Sequence, residues 1–86
     1  MAEFEHNSEK YGYINLDDLE GVQTALSKLE YDPGTIDGLD GPKTQHAVRS
    51  FQAHVSIKVD GKVGPETRQA LVDELGKLSE EAPAAS

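Results

Sequence analysis

Two aspartates and two threonines recur at one spacing in this chain: Asp37 with Thr44, and Asp60 with Thr67. Each aspartate precedes a glycine, and each threonine follows Gly-Pro and one further residue. Carboxylates at Asp37 and Asp60 can accept hydrogen bonds from the amide and amine groups of a bound peptide. An aspartate before glycine also accepts from nearby backbone N–H groups, and turn chemistry favours that structural role. Thr44 and Thr67 fall in first helical turns, where a hydroxyl satisfies backbone groups that lack an intrahelical partner. A helix start concentrates N–H donors and partial positive charge, so it can hold a carboxylate, although proline at its first position removes one donor. Tyr31, Leu39, Asp40 and Lys43 lie in or beside the first of the two loops. Tyr31 can stack on a ligand with its hydroxyl in water, or bury against a preceding helix. With Gly38, Gly41 and Gly61, these residues are the candidate ligand contacts.

Other chemistries fit less well. His46 and His54 are eight residues apart, about 80° around an ideal helix, and no third ligand is evident nearby, so no metal is expected. His46 reads as solvent-facing and His54 as a helix-end residue. Asp37-Gly38-Leu39-Asp40-Gly41 lacks the ligand spacing of a calcium loop. No Ser-His-Asp, Cys-His or metal-water arrangement is present, so neither an enzyme nor a cofactor is expected. The Asp-Ser-Leu attachment site of an acyl carrier protein is absent as well.

The elements that must position these residues follow from apolar spacing. Leu19, Val22, Ala25, Leu26 and Leu29 recur at helical intervals and predict a first helix over about 16–29, opened by a capping-box variant at Asn15 and Asp18. Gly21 costs that helix roughly 1 kcal/mol relative to alanine. Tyr31-Asp32-Pro33-Gly34 signals a turn. Gly41-Pro42 opens a second helix with Ala47, Val48, Phe51 and Val55 on its apolar face. Gly64-Pro65 opens a third with Ala70, Leu71, Leu75 and Leu78, and Gly76 is a candidate stop. Residues 56–60 read as a short extended stretch. Phe51 is expected in the core, and Gln52 is expected to bond to a loop backbone.

The 86 residues suffice for one domain. With no cysteine, the core must hold by packing alone. A net charge of −8 excludes nucleic acid as the natural partner and disfavours an anionic membrane surface. Residues 14–76 hold eleven acids and six bases, so the acidity belongs mostly to the ordered region. No apolar run is long enough to span a membrane, and the first residues do not read as a signal peptide. The polar stretches 1–13 and 77–86 are expected to be flexible tails, the latter acidic.

Residues 36–48 superpose on 59–71 at a constant offset of 23. Each copy supplies an apolar residue, an Asp-Gly turn, a Gly-Pro helix start, a threonine, and an apolar pair that enters the core. The run Val22-Gln23, Leu26, Leu29, Tyr31, Ile36-Asp37-Gly38, Gly41-Pro42-Lys43-Thr44, Ala47-Val48, Phe51-Gln52, Val59-Asp60-Gly61, Gly64-Pro65-Glu66-Thr67 and Ala70-Leu71 resembles the helical peptidoglycan-binding domains of bacterial and phage wall hydrolases. The resemblance covers about residues 16–75. It implies an all-α, compact three-helix bundle over 14–76 with two pseudo-repeated loop-helix units. It also implies a non-catalytic, monomeric module that binds peptidoglycan, through glycan strand or stem peptide, and targets a linked or separate wall hydrolase or envelope protein. Its place of action would be the cell envelope, periplasmic or extracellular. Asp40, Ser56 and Arg68 stand where such domains commonly carry a bulky apolar or aromatic residue, a glycine and a tryptophan. The first and last of these exchange stacking area for charge, which makes a protein-interaction or autoinhibitory role on the same fold the alternative.

Overall fold

The computed structural model describes residues 2–84. Three helices form the body: α1 (Leu19–Lys28), α2 (Pro42–His54) and α3 (Pro65–Ala84). Ahead of them, β1 (Glu5–Ser8) and β2 (Gly12–Asn15) pair antiparallel, with His6 opposite Ile14 and Asn7 opposite Tyr13. The three expected helices are present. The small sheet corrects the all-helical expectation, and most of it lies in the stretch 1–13 expected to be a tail.

The hairpin is held in a way that hydrophobic pattern does not display. Only His6 on β1 and Ile14 on β2 are buried, so neither strand shows a full inside-outside alternation. Backbone contacts supply the rest. The Asp17 carboxylate accepts from the backbone N–H groups of Glu3 and Phe4, both at 2.8 Å, and Leu16 N–H donates to the Phe4 carbonyl at 2.9 Å. Arg68 reaches from α3 to donate to the Leu16 carbonyl at 2.8 Å and to the Val63 carbonyl at 2.8 Å. Those amide hydrogen bonds, aided by the nearby Arg68 charge, hold the Asp17 carboxyl below its ordinary pKa. Arg68 thus ties the sheet connector to the start of α3. β2 packs on α1 and β1 on α3.

This arrangement moves the start of α1. Leu16, expected as its first residue, is fully buried at the end of the hairpin, and the N-cap is Asp18, whose side chain makes no capping bond. Asn15 instead accepts from Asp17 N–H at 2.9 Å. Gly21 has a packing reason, because a Cβ there would collide with the Asn15 carbonyl oxygen. The glycine that weakens the helix lets β2 lie directly against it.

α1 and α2 end alike. Glu30 and Ser56 adopt positive φ, 70° and 62°. After α1, Tyr31 N–H returns to the Leu26 carbonyl at 2.8 Å and Glu30 N–H to Ser27 at 3.0 Å. After α2, Ile57 returns to Gln52 at 3.1 Å and Ser56 to Ala53 at 3.3 Å. These are Schellman ends, which favour glycine at the left-handed position. Ser56 therefore carries strain at a site where glycine is common in the resembling family, and residues 57–59 form no strand. Ser56→Gly and Glu30→Gly should each raise stability by about 0.5–1 kcal/mol. A denaturant midpoint that fails to rise in the double variant would contradict this.

α3 does not stop at Gly76. That glycine lacks positive φ, and Ser79 donates its hydroxyl to the Gly76 carbonyl at 3.0 Å within a helix that continues to Ala84. A mid-helix glycine costs only about 1 kcal/mol. Lys10 in the hairpin turn also donates to the Leu78 carbonyl at 3.3 Å. The expected tail 77–86 is therefore helical as far as Ala84, and its last two residues lie outside the described ones.

The core joins Ile14 and Leu16 to Val22, Ala25 and Leu26 of α1, Ala47, Val48 and Phe51 of α2, and Leu71 and Leu75 of α3. His6 borders it at 8% exposure, with Nε2 2.7 Å from Ser8 Oγ and its ring 6.0 Å from Tyr11. Burial lowers its pKa below the ordinary 6.5. The unfolded chain therefore binds the proton first on acidification, so this contribution to stability is complete above pH 6.5 and is lost as pH falls below it. His6→Gln should flatten the decline in denaturant midpoint between pH 7.5 and 5.5; an unchanged decline would assign it to other groups. Asp17 and Asp60, with lowered pKa values, act in a lower window, below their ordinary 3.8.

Candidate functional site

Two buried glutamines set the geometry of the two loops. On α1, Gln23 Oε1 accepts from the backbone N–H groups of Asp37 (3.1 Å) and Gly38 (2.8 Å), while Nε2 donates to the Leu39 carbonyl (2.9 Å) and Thr44 Oγ1 (3.0 Å). On α2, Gln52 Oε1 accepts from Asp60 and Gly61 N–H, both at 3.0 Å. Its Nε2 donates to Asp60 Oδ1, the Lys62 carbonyl and Thr67 Oγ1, all at 3.0 Å. A primary amide suits this task because one end only accepts and the other only donates.

The aspartates close each turn from the other side. Asp37 Oδ1 accepts Leu39 N–H at 2.9 Å, and Asp60 Oδ1 accepts Lys62 N–H at 2.9 Å. Gly38 and Gly61 follow at φ 77° and 73°, a backbone region that suits glycine. The Lys62 amide, then the Gln52 amide, hold the Asp60 carboxyl below its ordinary pKa. Thr44 and Thr67 are buried. The Thr44 hydroxyl donates to the Pro33 carbonyl at 2.7 Å, pinning the turn after α1 to the first turn of α2. Their hydroxyls therefore serve the loops.

Each loop opens a cleft in front of its helix start. The first, about 350 Å³, is lined by Pro33, Gly34, Thr35, Asp37, Leu39, Gly41, Pro42, Lys43 and Thr44. The second, about 290 Å³, is lined by Gln52, Lys58, Asp60, Lys62, Gly64, Pro65, Glu66 and Thr67. Of the candidate contacts, Asp37, Leu39, Gly41, Lys43 and Thr44 thus meet in one cleft, and Asp60 and Thr67 in the other. Gly38 and Gly61 face the glutamines through their N–H groups. Asp40 is exposed beside the first cleft and does not line it. Tyr31 stands apart, half-buried and edge-on to Phe51 at 5.8 Å, with the His54 ring tilted against it at 6.4 Å. Burial, and secondarily Glu74, raise its pKa. Its aromatic neighbours are on α2, whereas the alternatives open to it in the sequence were a ligand face or burial against the first helix.

Sequence reasoning named Gln52 as a loop ligand but missed Gln23. The available signal was the apolar-Gln pair, Val22-Gln23 and Phe51-Gln52, which recurs at a spacing of 29, outside the 23-residue repeat. The wall residues Pro33, Gly34, Thr35, Lys58, Lys62 and Glu66 were also missed. Among the described residues no group of three histidines or acids is placed to hold a metal ion.

With these two clefts in place, the family match is specific. A family model described as a peptidoglycan binding domain matches residues 15–71, which contain all three helix starts and both loops. The chain belongs to the peptidoglycan-binding domain family. It is 44% identical over 57 residues to a spore cortex-lytic enzyme of Bacillus subtilis, covering 65% of this chain and 19% of that protein. It is 36% identical over 55 residues to the N-acetylmuramoyl-L-alanine amidase CwlM of Mycobacterium tuberculosis, covering 64% and 14%. It is also 40% identical over 50 residues to OpcA of Synechocystis, a protein named for the OxPP cycle, covering 58% and 10%. The chain thus spans less than a fifth of each of these relatives. The peptidoglycan-binding domain match begins at Asn15, so β1 and most of β2 lie outside it.

Proposed function

We propose that this chain is a non-catalytic wall anchor: it binds peptidoglycan through the loop surface at the starts of α2 and α3 and holds an attached or associated envelope protein there. The observation that carries the reading is the family match over the segment that builds both clefts. One relative is named as a spore cortex-lytic enzyme and another as an N-acetylmuramoyl-L-alanine amidase, and the similar segment is a small share of each, as suits a targeting module separable from a catalytic part. The contacts are assigned to Asp37, Leu39, Gly41 and Lys43 in the first cleft and to Asp60 in the second, with the buried Thr44 and Thr67 holding the loops beneath them. No helix among the described residues is long and apolar enough to cross a membrane, and the place of action is the cell envelope.

Co-sedimentation with purified insoluble sacculi tests this reading. The chain should pellet with sacculi, and amide resonances of both loops should shift on titration with soluble muropeptides. A chain that stays in the supernatant, with unmoved loop resonances, would sink the proposal.

A further inference from the structure

The two clefts share a framework and differ in chemistry. At equivalent positions the first carries Leu39 where the second carries Lys62, Lys43 where the second carries Glu66, and Thr35 where the second carries Lys58. We infer that the first cleft takes a small uncharged secondary amide bearing a methyl group, and that the second does not; this rests on the wall-binding reading above.

Three features of the first cleft match three parts of such a group. Leu39 is 67% exposed on a loop whose backbone is already fixed by Gln23, and with Pro33 and Pro42 it offers an apolar wall for a methyl group. Asp37 uses Oδ1 for the turn, whereas its Oδ2 makes no hydrogen bond among the described residues and can accept an amide N–H. Lys43 Nζ lies 3.7 Å from Asp32 in a pair whose side chains are 73% and 77% exposed. So exposed a pair is weak, leaving the ammonium able to donate to an amide carbonyl.

Charge decides against a carboxylate in the same place. Lys43, the one cation among the described residues that line the cleft, is paired with Asp32 and shares the lining with Asp37, within a chain of net charge −8, so an anion meets net repulsion that a neutral amide escapes. The second cleft is lined by Lys58, Asp60, Lys62 and Glu66 and has no large aliphatic side chain in its wall.

Peptidoglycan can present this chemistry from two sources, the N-acetyl group of an amino sugar or an alanyl unit of a peptide. Nitrogen-15 HSQC titrations of the whole chain separate them: one arm uses the N-acetylglucosamine trimer, the other an N-acetylated, C-amidated alanyl-alanine. N-Acetylmuramic acid and the free-acid dipeptide are the charged controls. Saturable shifts at Gly34, Leu39, Gly41, Lys43 and Thr44 are expected in at least one neutral arm, and the responding arm identifies the source. The charged control should bind about fivefold more weakly at low salt, with the gap closing near 0.5 M salt. Leu39→Ser should weaken binding about tenfold with an unchanged unfolding midpoint, and Lys62→Ser should leave binding unaltered. Controls that bind as tightly as the neutral ligands, shifts centred on residues 58–67, or full binding by Leu39→Ser would each overturn the inference. Silence in both neutral arms would overturn it as well, and sacculus sedimentation would then show whether wall binding itself survives.

Discussion

Phe51→Ala should leave the chain largely unfolded at room temperature. The ring is fully buried in the last turn of α2, shares the core with residues from α1, α3 and β2, and receives Tyr31 edge-on at 5.8 Å and 85°. Truncating a buried phenylalanine costs about 3–5 kcal/mol in lost transfer energy and residual cavity. A domain this small, with no cysteine to form a disulfide, has a total stability of about the same size. Far-UV circular dichroism and a urea titration give the readout. A cooperative transition near the wild-type midpoint would show that the core does not depend on this ring. Phe51→Leu, which keeps most of the apolar contact, should cost only about 1–2 kcal/mol and retain the fold. The pair therefore separates loss of volume from disturbance of the neighbouring Gln52.

What was legible in the sequence was what depends on local pattern. Gly41-Pro42 and Gly64-Pro65 stand at the starts of α2 and α3, Phe51 is in the core, and His46 is exposed, each as expected. The hairpin was not legible, because its order comes from long-range polar contacts by Asp17 and Arg68 and from a single inward side chain on each strand. Arg68 reads in the sequence as a lost aromatic surface, whereas in the fold it joins the sheet to α3. Gly21 and Gly76 misled in opposite directions: one looked merely unfavourable and is required by the approach of Asn15, the other looked like a stop and is absorbed by a continuing helix. In the candidate site, the Asp-Gly and Gly-Pro-x-Thr residues cluster because they are close in sequence. Tyr31 is separated from them because its ring gains more by covering Phe51 than by facing solvent.

The loops themselves should respond most sharply to Gln52→Glu, a change of almost no volume. Gln52 is 1% exposed, and its Oε1 acceptance from Asp60 and Gly61 N–H can persist in the carboxylate. The other end reverses. Where Nε2 donated to Asp60 Oδ1, the Lys62 carbonyl and Thr67 Oγ1, an anionic oxygen would face a carboxylate and a carbonyl. The expected loss is about 3–5 kcal/mol, comparable with breaking a buried charged pair. Burial beside Asp60 raises the folded pKa of the introduced carboxyl. The folded variant therefore binds the proton before the unfolded chain does, and its stability recovers as pH falls toward about 4.3. The wild-type chain changes in the opposite sense over the part of that range where His6 titrates. Urea midpoints at pH 7.5 and 5 give the comparison, and a variant as stable as wild type at pH 7.5 would show that the amide does not hold the loop. Gln23→Glu should follow the same course with a smaller loss. Its contact to Asp37 Oδ1 is 3.4 Å against 3.0 Å for Gln52 to Asp60, so the first loop stands to lose less when that donor becomes an acceptor.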